Sequence, residues 1–305
     1  MIGNKVFITG ATGYIGGSIA VKLMDLGYQV TGLVRSMDGA KKLKEIGIIP
    51  HHGDLYDYEP LMSAVKQADI VINAADAENS YAVATILTAL EGTGKTFVHI
   101  SGSSIVSDKA AGEYSPQVYH EETIDPSPEK IAWFSLNQMI VKAANRSIRT
   151  IVICPTLIYG EGRGIKRDSN QVPGMIRVAL ERGAAHHVGK GKNVWSTVHI
   201  DDLVDLFPLA LENAPSGSLF FAGNGEVSFK KIAEKINETF ELGTQTKSMT
   251  IDDAIGEWGA EGGHYAFSSN SRISAEKARI MLGWKPKGKP VLEDIANGYY
   301  KRIIE

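Results

Sequence analysis

The chain has 305 residues, with 32 Lys and Arg against 35 Asp and Glu and a formal net charge of −3 at pH 7. This length suffices for one large α/β domain with a smaller lobe, and the charge gives no electrostatic basis for binding nucleic acid or an acidic membrane surface. The single cysteine, Cys154, excludes an internal disulfide and indicates a reducing compartment.

The N-terminal residues run directly into a predicted strand, without the charged start and apolar stretch of a signal peptide. No uninterrupted apolar run approaches the roughly 20 residues that a membrane span needs. We therefore expect a soluble, cytoplasmic protein that acts on a small molecule and binds neither nucleic acid nor membrane. The sequence predicts no metal site.

The first half alternates short apolar runs with amphipathic stretches. In chain order we expect a strand at 5–9, a helix at 15–26, a strand at 29–34, a helix at 38–46, a short strand at 48–51, a helix at 59–66, a strand at 69–74, a helix at 81–90 and a strand at 96–101. The strands are nearly continuous apolar runs, as expected when helices cover both faces of a parallel sheet. This order predicts a Rossmann-type, doubly wound α/β fold.

The second half is less regular. A Pro-, Ser- and Asp-rich stretch at 114–128 precedes a predicted helix at 129–145 and a strand at 149–153. Further strands are expected at 194–200 and 218–221, and helices at 230–240 and 274–282. The sequence thus predicts a dinucleotide-binding domain over 1–155, to which 198–222 returns, and a smaller C-terminal substrate lobe formed by 156–197 and 223–305.

Three glycines between the first strand and the first helix form the strongest motif of the chain. Gly10 permits a tight turn, Gly13 lets backbone N–H groups reach a pyrophosphate, and Gly16 lets the helix pack closely on the sheet. The helix N-terminus adds a partial positive charge. We therefore predict that a dinucleotide contacts this turn, through Gly10, Thr12, Gly13, Tyr14, Ile15 and Gly16.

The residue that ends the second strand distinguishes the two nicotinamide dinucleotides. An acid at this point would accept from the adenosine ribose, but the chain has Arg35 and Ser36. A guanidinium fork and a hydroxyl suit a 2′-phosphate, so the sequence favours NADP(H) over NAD(H). The alternative is that Arg35 is an ordinary surface residue and Asp38 binds the ribose.

Two further segments end strands at the edge of the sheet where ligands of open α/β folds collect. Asp54 and Leu55 follow the third strand, and Asp54 offers an acceptor for the adenine amino group. Ala74 and Ala75 follow the fourth strand and are small enough for the cofactor to lie against the backbone. An Asp after a strand is also often only a helix cap.

Several motifs in order extend these signals over most of the chain. They are the glycine turn 9–16, then Gly53-Asp54-Leu55, Val98-His99-Ile100-Ser101, 154–160, Val198-His199-Ile200-Asp201-Asp202 and Gly283-Trp284-Lys285-Pro286. With them the chain resembles the extended and atypical short-chain dehydrogenase/reductases, which include NAD-dependent epimerase/dehydratases and dihydroflavonol-reductase-like proteins.

The resemblance implies a catalytic Ser after the fifth strand and a Tyr-x-x-x-Lys pair on the next helix, where tyrosinate exchanges a proton and lysine lowers its pKa. Ser103 matches the Ser, but Trp133 stands at the Tyr and Asn137 at the Lys. An indole is no acid near neutral pH, and an amide carries no charge. The resemblance also implies contacts to the cofactor's nicotinamide end from Ser101, Pro155, Thr156 and Leu157.

Several accounts of the missing pair stay open. Another side chain supplies the proton, with candidates at Tyr119, His120, Lys130, Lys142 and His199. Alternatively Ser103 and ordered water suffice for hydride transfer. Otherwise the protein binds cofactor without turnover, as NmrA-like redox-sensing regulators are thought to do, or acts as a lyase or isomerase without net redox change. The favoured interpretation is an NADP(H)-dependent oxidoreductase. Cys154 is expected to be a buried small hydrophobe.

The substrate class follows from one replacement. Nucleotide-sugar enzymes of the resembled family place an arginine before the Val-His-Val motif to bind phosphate, and this chain has Trp195 there. We therefore expect a small apolar or aromatic carbonyl compound. An aromatic-walled pocket is the hypothesis for Tyr114, Trp133, Tyr159 and Trp195, each of which is equally suited to core packing. Arg163, Arg167 and Asp168 form either a lid or a solvated loop.

The resemblance also suggests a homodimer. In the resembled family, the helices expected here at 81–90 and 129–145 often pair with those of a second copy. Ile140 and Val141 suit such an interface.

Overall fold

A computed structural model describes residues 3–302 of the chain. In chain order the strands are β1 (Lys5–Thr9), β2 (Gln29–Val34), β3 (Ile49–His52), β4 (Ile70–Asn73), β5 (Thr96–Ile100), β6 (Arg149–Pro155), β7 (Leu157–Tyr159), β8 (His186–Val188), β9 (Val194–His199), β10 (Ser218–Ala222), β11 (Glu226–Ser228) and β12 (Lys247–Met249).

The helices are α1 (Tyr14–Asp25), α2 (Met37–Glu45), α3 (Tyr58–Gln67), α4 (Ser80–Leu90), α5 (Ile131–Lys142), α6 (Gln171–Arg182), α7 (Ile200–Asn213), α8 (Phe229–Thr239), α9 (Ile251–Glu261), α10 (Glu276–Leu282), α11 (Val291–Asn297) and α12 (Tyr299–Arg302). Short 3₁₀ turns cover Ser103–Val106, Pro128–Lys130 and Ala143–Arg146, and a π-helical turn covers Gly262–Ala266.

A seven-stranded parallel sheet in the order β10-β6-β5-β4-β1-β2-β3 forms the centre of the molecule. Val6 of β1 pairs with Val30 on one side and with Ile70 on the other. The crossovers from β1 run towards β3 and those from β4 run towards β10, so the direction of winding reverses between β1 and β4. The predicted Rossmann-type fold is confirmed, and ligands of such sheets bind at this reversal.

The elements of the first half lie close to their predicted bounds, because the local pattern of apolar residues marks buried strands and the buried faces of helices. All residues of β4 and β5 are buried. On α1, Ile19 and Leu23 are fully buried. Leu26, the last residue of the predicted helix at 15–26, is 52% exposed, since the helix ends at Asp25.

In the second half, the predicted helix at 129–145 is divided into a 3₁₀ turn, α5 and a second 3₁₀ turn. The predicted strand at 194–200 is observed as β9, in a separate three-stranded sheet in the order β11-β9-β7. β10 returns to the central sheet beside β6, with Phe220 opposite Ile153.

Two apolar cores underlie this arrangement. The larger surrounds the central sheet, and the smaller lies between β7, β9, α6, α8 and α11. The segment around α10, which the sequence places in the smaller lobe, packs instead on α7 and β10, with Leu282 and Trp284 in the larger core.

Helices α4 and α5 carry the surface that was expected to form a dimer. Ile140 is completely buried, so the prediction that it belongs to a dimer interface is wrong. Val141 is partly buried, and the large exposed apolar side chains of these helices are Tyr81, Ile131 and Met139. Within residues 3–302, no helix combines the length and hydropathy needed to cross a bilayer.

Candidate cofactor cleft and reacting centre

A cleft of about 680 Å³ opens at the carboxyl ends of β1, β2 and β4, at the reversal of winding. Nine of the predicted cofactor-binding residues line it, namely Gly10, Thr12, Gly13, Arg35, Ser36, Asp54, Leu55, Ala74 and Ala75. Lys42 and Ile165 line it as well and were missed by the sequence analysis. Ile165 comes from a distant loop, and no local pattern marks it.

The glycine turn has the geometry that a pyrophosphate needs. Gly10 has a φ of 74°, and a Cβ on it would lie 2.6 Å from the Ala74 carbonyl oxygen. A Cβ on Gly16 would lie 2.4 Å from the Gly10 oxygen, so both positions require glycine. Gly13 is the N-cap of α1, and its N–H donates to the Gly10 carbonyl at 2.9 Å. The start of α1 thus faces the cleft and fits a phosphate group.

Tyr14 is a backbone neighbour of the cleft and not a side-chain contact. Its hydroxyl donates to the Gly160 carbonyl oxygen at 2.8 Å inside the protein, and burial raises the pKa of Tyr14 well above its usual value. Ile15 is partly buried against the larger core. From these two residues, only backbone N–H groups at the helix N-terminus suit phosphate binding.

A buried network that the sequence analysis missed supports the turn from below. The Thr9 hydroxyl donates to Asn73 Oδ1 at 2.6 Å and accepts from the backbone N–H groups of Ala74 and Ala75. Asn73 Nδ2 lies 3.2 Å from His99 Nδ1. Complete burial lowers the pKa of His99 to about 4, so the imidazole is neutral at pH 7. The network joins the ends of β1, β4 and β5.

The far corner of the cleft, beyond β2, carries two cations. The Arg35 side chain is 82% exposed, with Nη1 3.6 Å from Asp54 Oδ2. The Ser36 hydroxyl caps α2 by accepting from the Gly39 N–H at 3.0 Å. Lys42 pairs with Asp38 at 2.7 Å, and this hydrogen bond raises the pKa of Lys42. Both predicted alternatives, Arg35 and Asp38, therefore lie at the cleft.

The predicted reacting centre, around Ser103, Trp133 and Asn137, is closely packed, and none of these three residues lines the cleft. Asn137 is fully buried, and its Nδ2 donates to Ser101 Oγ at 2.8 Å. Its Oδ1 has no hydrogen-bond partner in the part of the chain that the structure describes. Such an orphaned acceptor is costly unless a ligand satisfies it. Asn137 stands where the resembled family has a lysine that binds the nicotinamide ribose, so a ribose hydroxyl fits this atom.

Ser103 and Trp133 come together around a glycine backbone. Ser103 is 1% exposed, and its hydroxyl oxygen accepts a hydrogen bond from Ser271 Oγ at 2.8 Å. A Cβ on Gly102 would lie 3.1 Å from the Trp133 ring, so the indole packs on this backbone. The buried Trp133 Nε1–H is a second group without a partner among residues 3–302.

The segment that ends β6 and follows it, residues 155–157, is likewise buried and does not line the cleft. The Thr156 N–H donates to the Ala222 carbonyl at 3.3 Å, and its hydroxyl donates to the Ser196 carbonyl. Leu157 is fully buried, and Pro155 ends the strand. Cys154 is fully buried, as predicted, and burial raises the pKa of its thiol, which excludes a reactive thiolate near neutral pH.

The structure separates the five candidate proton donors. His120 and Lys142 are exposed, and Lys142 lies on the outer groove of α5. Tyr119 forms a bridge with Ile273, and desolvation raises its pKa. His199 caps α7 by accepting from the Asp201 N–H and stands beside Tyr159, at the far end of β9 from Trp195. Lys130 alone of the five is both buried and beside Trp133, with Nζ 5.5 Å from the ring centroid.

The four aromatic side chains do not wall one pocket. Tyr159 is 1% exposed and donates to the Lys289 carbonyl, which agrees with the core-packing alternative for this residue. Trp195 is buried and donates to the Ser269 carbonyl at 2.9 Å. Tyr114 is exposed and accepts from Arg272. Trp195 thus bonds to the segment 269–271. Trp133 packs on Gly102, the neighbour of Ser103, which accepts from Ser271 in that segment.

The loop that carries Arg163, Arg167 and Asp168 is held by ion pairs and a hydrogen bond. Arg163 pairs with Asp201 at 2.7 Å, Arg167 pairs with Glu161, and Asp168 accepts from the Tyr299 hydroxyl. The two arginines line a polar cavity of about 840 Å³ that also contains His199 and Asp294. None of these three residues lines the cofactor cleft.

Comparison with known proteins agrees with this geometry. The chain is 31% identical over 316 residues to an uncharacterised protein of Saccharomyces cerevisiae, covering 97% of this chain and 99% of that protein. It is 30% identical over 337 residues to the oxidase ucsJ of Acremonium sp, covering 96% and 95%. A solved dTDP-glucose 4,6-dehydratase of Bacillus anthracis superposes with a TM-score of 0.77 at 18% identity, over 98% of this chain and 97% of that one, and shows the shared fold.

The family assignment follows from the sequence model of the NAD dependent epimerase/dehydratase family, which matches residues 6–223. This match spans the glycine turn, the central sheet and the reacting centre. Relatives of the chain include a ketoreductase of Stigmatella aurantiaca, 26% identical over 237 residues, covering 72% of this chain and 68% of that protein. The chain belongs to the NAD dependent epimerase/dehydratase family and is an NAD(P)-dependent, oxidoreductase-like enzyme in which Trp and Asn stand at the Tyr and Lys positions.

Proposed function

We propose that this enzyme is an NADP(H)-dependent oxidoreductase that acts on a small apolar or aromatic carbonyl compound with non-standard catalytic residues. The observation that carries the proposal is the cleft lined by Gly10 and Gly13, which has an exposed guanidinium at its ribose end. The oxidase and the ketoreductase among its relatives support redox chemistry over a lyase or isomerase reaction.

The preference for NADP(H) rests on the corner at Arg35. Its Nη1 is 3.6 Å from Asp54, too far for a strong charge-assisted hydrogen bond, so the exposed side chain is free to turn towards a phosphate. Lys42 and the N-terminus of α2 lie at the same corner. A 2′-phosphate there meets two cations and the positive end of a helix dipole, which compensate for Asp38 and Asp54.

Bound NADPH supplies a hydride to the carbonyl carbon. The chain's part is to hold both reactants: Asn137 Oδ1 accepts from a ribose hydroxyl, while its Nδ2 keeps Ser101 in place. The Ser103 hydroxyl accepts from Ser271 Oγ, so its own proton is left to donate to the substrate oxygen. Neither residue is an acid near neutral pH, so the oxygen takes its proton from water, and the substrate has to be an activated carbonyl.

The substrate class follows from the polar groups that are missing. Trp195 occupies the position of a phosphate-binding arginine and is buried with its N–H bonded to Ser269. A sugar diphosphate therefore lacks its fixed cation at this point. The indole of Trp133 offers an apolar surface next to Ser103 instead, which suits an apolar or aromatic group.

Turnover with a panel of activated carbonyl compounds tests the proposal. We expect NADPH oxidation by the wild-type enzyme and a loss of about 100-fold in kcat/KM for Ser103→Ala, the cost of removing one oxyanion donor. Full NADPH binding without turnover, unchanged by Ser103→Ala, supports a regulatory protein instead. Reductase activity that appears only in the double variant Trp133→Tyr, Asn137→Lys would show that the native centre is not a reductase.

A further inference from the structure

Lys130 is a buried cation that the mechanism above does not use. The residue is 4% exposed, and its Nζ lies 4.2 Å from the ring centroid of Tyr265 and 5.5 Å from that of Trp133. Two aromatic faces stabilise an ammonium only in part. A desolvated charge without an anion costs several kcal/mol, so this ammonium needs a carboxylate or a similar partner at all times.

Glu261 is the anion in the free protein. Its Oε1 lies 2.6 Å from Lys130 Nζ and accepts from Ser104 Oγ at 3.2 Å. The carboxylate is therefore held by one ammonium and one hydroxyl, which is how a protein holds the carboxylate of a ligand. Ser104 directly follows Ser103, and Trp133 occupies the family's tyrosine position, so this arrangement adjoins the reacting centre.

The two charges differ in how easily they part. The Glu261 side chain is 61% exposed, whereas that of Lys130 is 5% exposed. Glu261 also ends an irregular element: Gly259 interrupts α9 with φ 75° and ψ 173°, and the π-helical turn Gly262–Ala266 follows. Water can solvate a displaced Glu261, but Lys130 has to receive another anion in exchange.

We propose that Lys130 and Ser104 form a carboxylate subsite that Glu261 occupies until substrate arrives, and that the substrate is a carbonyl compound bearing a carboxylate. Trp133 and Tyr265 flank its apolar part. This inference rests on the proposed function and narrows its substrate class. Lys109, whose Nζ is 6.0 Å from the Tyr265 ring, is already paired with Glu129.

Calorimetric titration with benzoate, and with benzyl alcohol as its neutral analogue, tests the subsite. Glu261→Gln removes the internal competitor, so benzoate should bind about 10-fold more tightly if the subsite is free in roughly one molecule in ten of the wild type. Benzoate should also raise the Tm of this variant more than that of the wild type. The matched control is Glu257→Gln on the same helix, where Glu257 pairs with Arg177 and Arg182, and benzoate affinity should not change.

The cation is tested separately. Lys130→Met should abolish benzoate binding and leave the binding of benzyl alcohol unaffected. Lys130→Arg keeps the positive charge and should retain benzoate binding, so it serves as the test variant if Lys130→Met fails to fold. Benzoate affinity that is unmeasurable in both wild type and Glu261→Gln, or that Glu261→Gln leaves unchanged or weakens, overturns the inference and leaves an ion pair between the 3₁₀ turn before α5 and the end of α9. NADPH titration of the same samples reports on the proposed function, because cofactor binding is expected to be the same in all of them.

Discussion

The glycine turn at the cofactor cleft and the predicted reacting centre follow different rules. At the glycine turn, the family pattern is intact, the cleft is open, and the backbone packs too closely at Gly10 and Gly16 for any side chain. At the reacting end, the pattern is replaced, and the polar side chains bond to one another, as in Asn137 with Ser101 and Ser103 with Ser271. The catalytic side chains of a family can therefore be replaced while its cofactor-binding turn is kept, because the turn binds through backbone atoms and does not depend on those side chains.

The largest expected effect on cofactor binding is at Gly16. A Cβ at Gly16 would lie 2.4 Å from the Gly10 oxygen, so Gly16→Ala must push the turn out of shape. We expect no measurable heat on titration with NADPH. Gly256→Ala in α9 is the matched control, because its Cβ meets nothing within 4 Å, and there NADPH affinity should be unchanged. Normal NADPH affinity in Gly16→Ala would place the cofactor elsewhere.

The next largest effect is a pH dependence of the free energy of unfolding, which comes from His99 in the buried network below the glycine turn. The pKa of His99 is about 4 in the folded protein against 6.5 for the ordinary side chain, so between these values the unfolded chain binds a proton that the folded chain does not. Stability from His99 is therefore complete above pH 6.5 and is lost as the pH falls towards 4, by roughly 3 kcal/mol in total.

Denaturant unfolding at pH 7 and pH 4.5 measures this effect. His99→Gln should lose less free energy of unfolding over that range than the wild type. His120→Gln, at an exposed histidine, should behave as the wild type does. Equal losses in all three proteins would mean that His99 does not govern the acid sensitivity of the glycine end.

Removing the guanidinium of Arg35 tests how the cleft distinguishes NADPH from NADH. Arg35→Ala should weaken NADPH binding by about 10-fold, the value of one charged hydrogen bond of roughly 1.4 kcal/mol, and should leave NADH binding unchanged. Lys41→Ala removes a charge from α2 at an exposed position that does not line the cleft, so it controls for the general field. Equal losses for the two dinucleotides would rule out a 2′-phosphate contact.

The smallest effect concerns the hydroxyl beside that arginine. Ser36 caps α2 through the Gly39 N–H, so Ser36→Ala should lower the free energy of unfolding by about 1 kcal/mol. Ser63→Ala, at an exposed hydroxyl on α3, should change it by less than about 0.5 kcal/mol. Chemical denaturation distinguishes the two, and an unchanged midpoint in Ser36→Ala would show that the cap contributes nothing.

Much of the fold could be predicted because its signals are local. Buried strands such as β4 and β5 are apolar throughout, and the glycine turn states its own backbone geometry. The helix at 129–145 was predicted as one element, since its pattern of apolar residues is nearly continuous. The 3₁₀ turns at its two ends depend on tertiary packing, which periodicity does not encode.

The reacting end could be predicted only in part. Replacement of the Tyr and Lys is visible in the sequence, but the partner of Ser103 is Ser271, 168 residues away. The pair of Lys130 and Glu261 joins residues 131 positions apart. Such contacts are set by how the smaller lobe packs on the sheet. For the same reason the sequence could not decide between a pocket wall and core packing for Tyr159, whose hydroxyl donates to the Lys289 carbonyl.

Calorimetric titration of the unmodified protein with NADPH and with NADH tests the central claim most directly. The cleft at Gly10 and the exposed Arg35 predict binding of both dinucleotides, with NADPH tighter by about 10-fold. Equal affinity for the two would contradict the phosphate contact, and the absence of heat with either would contradict the assignment of this cleft to a dinucleotide.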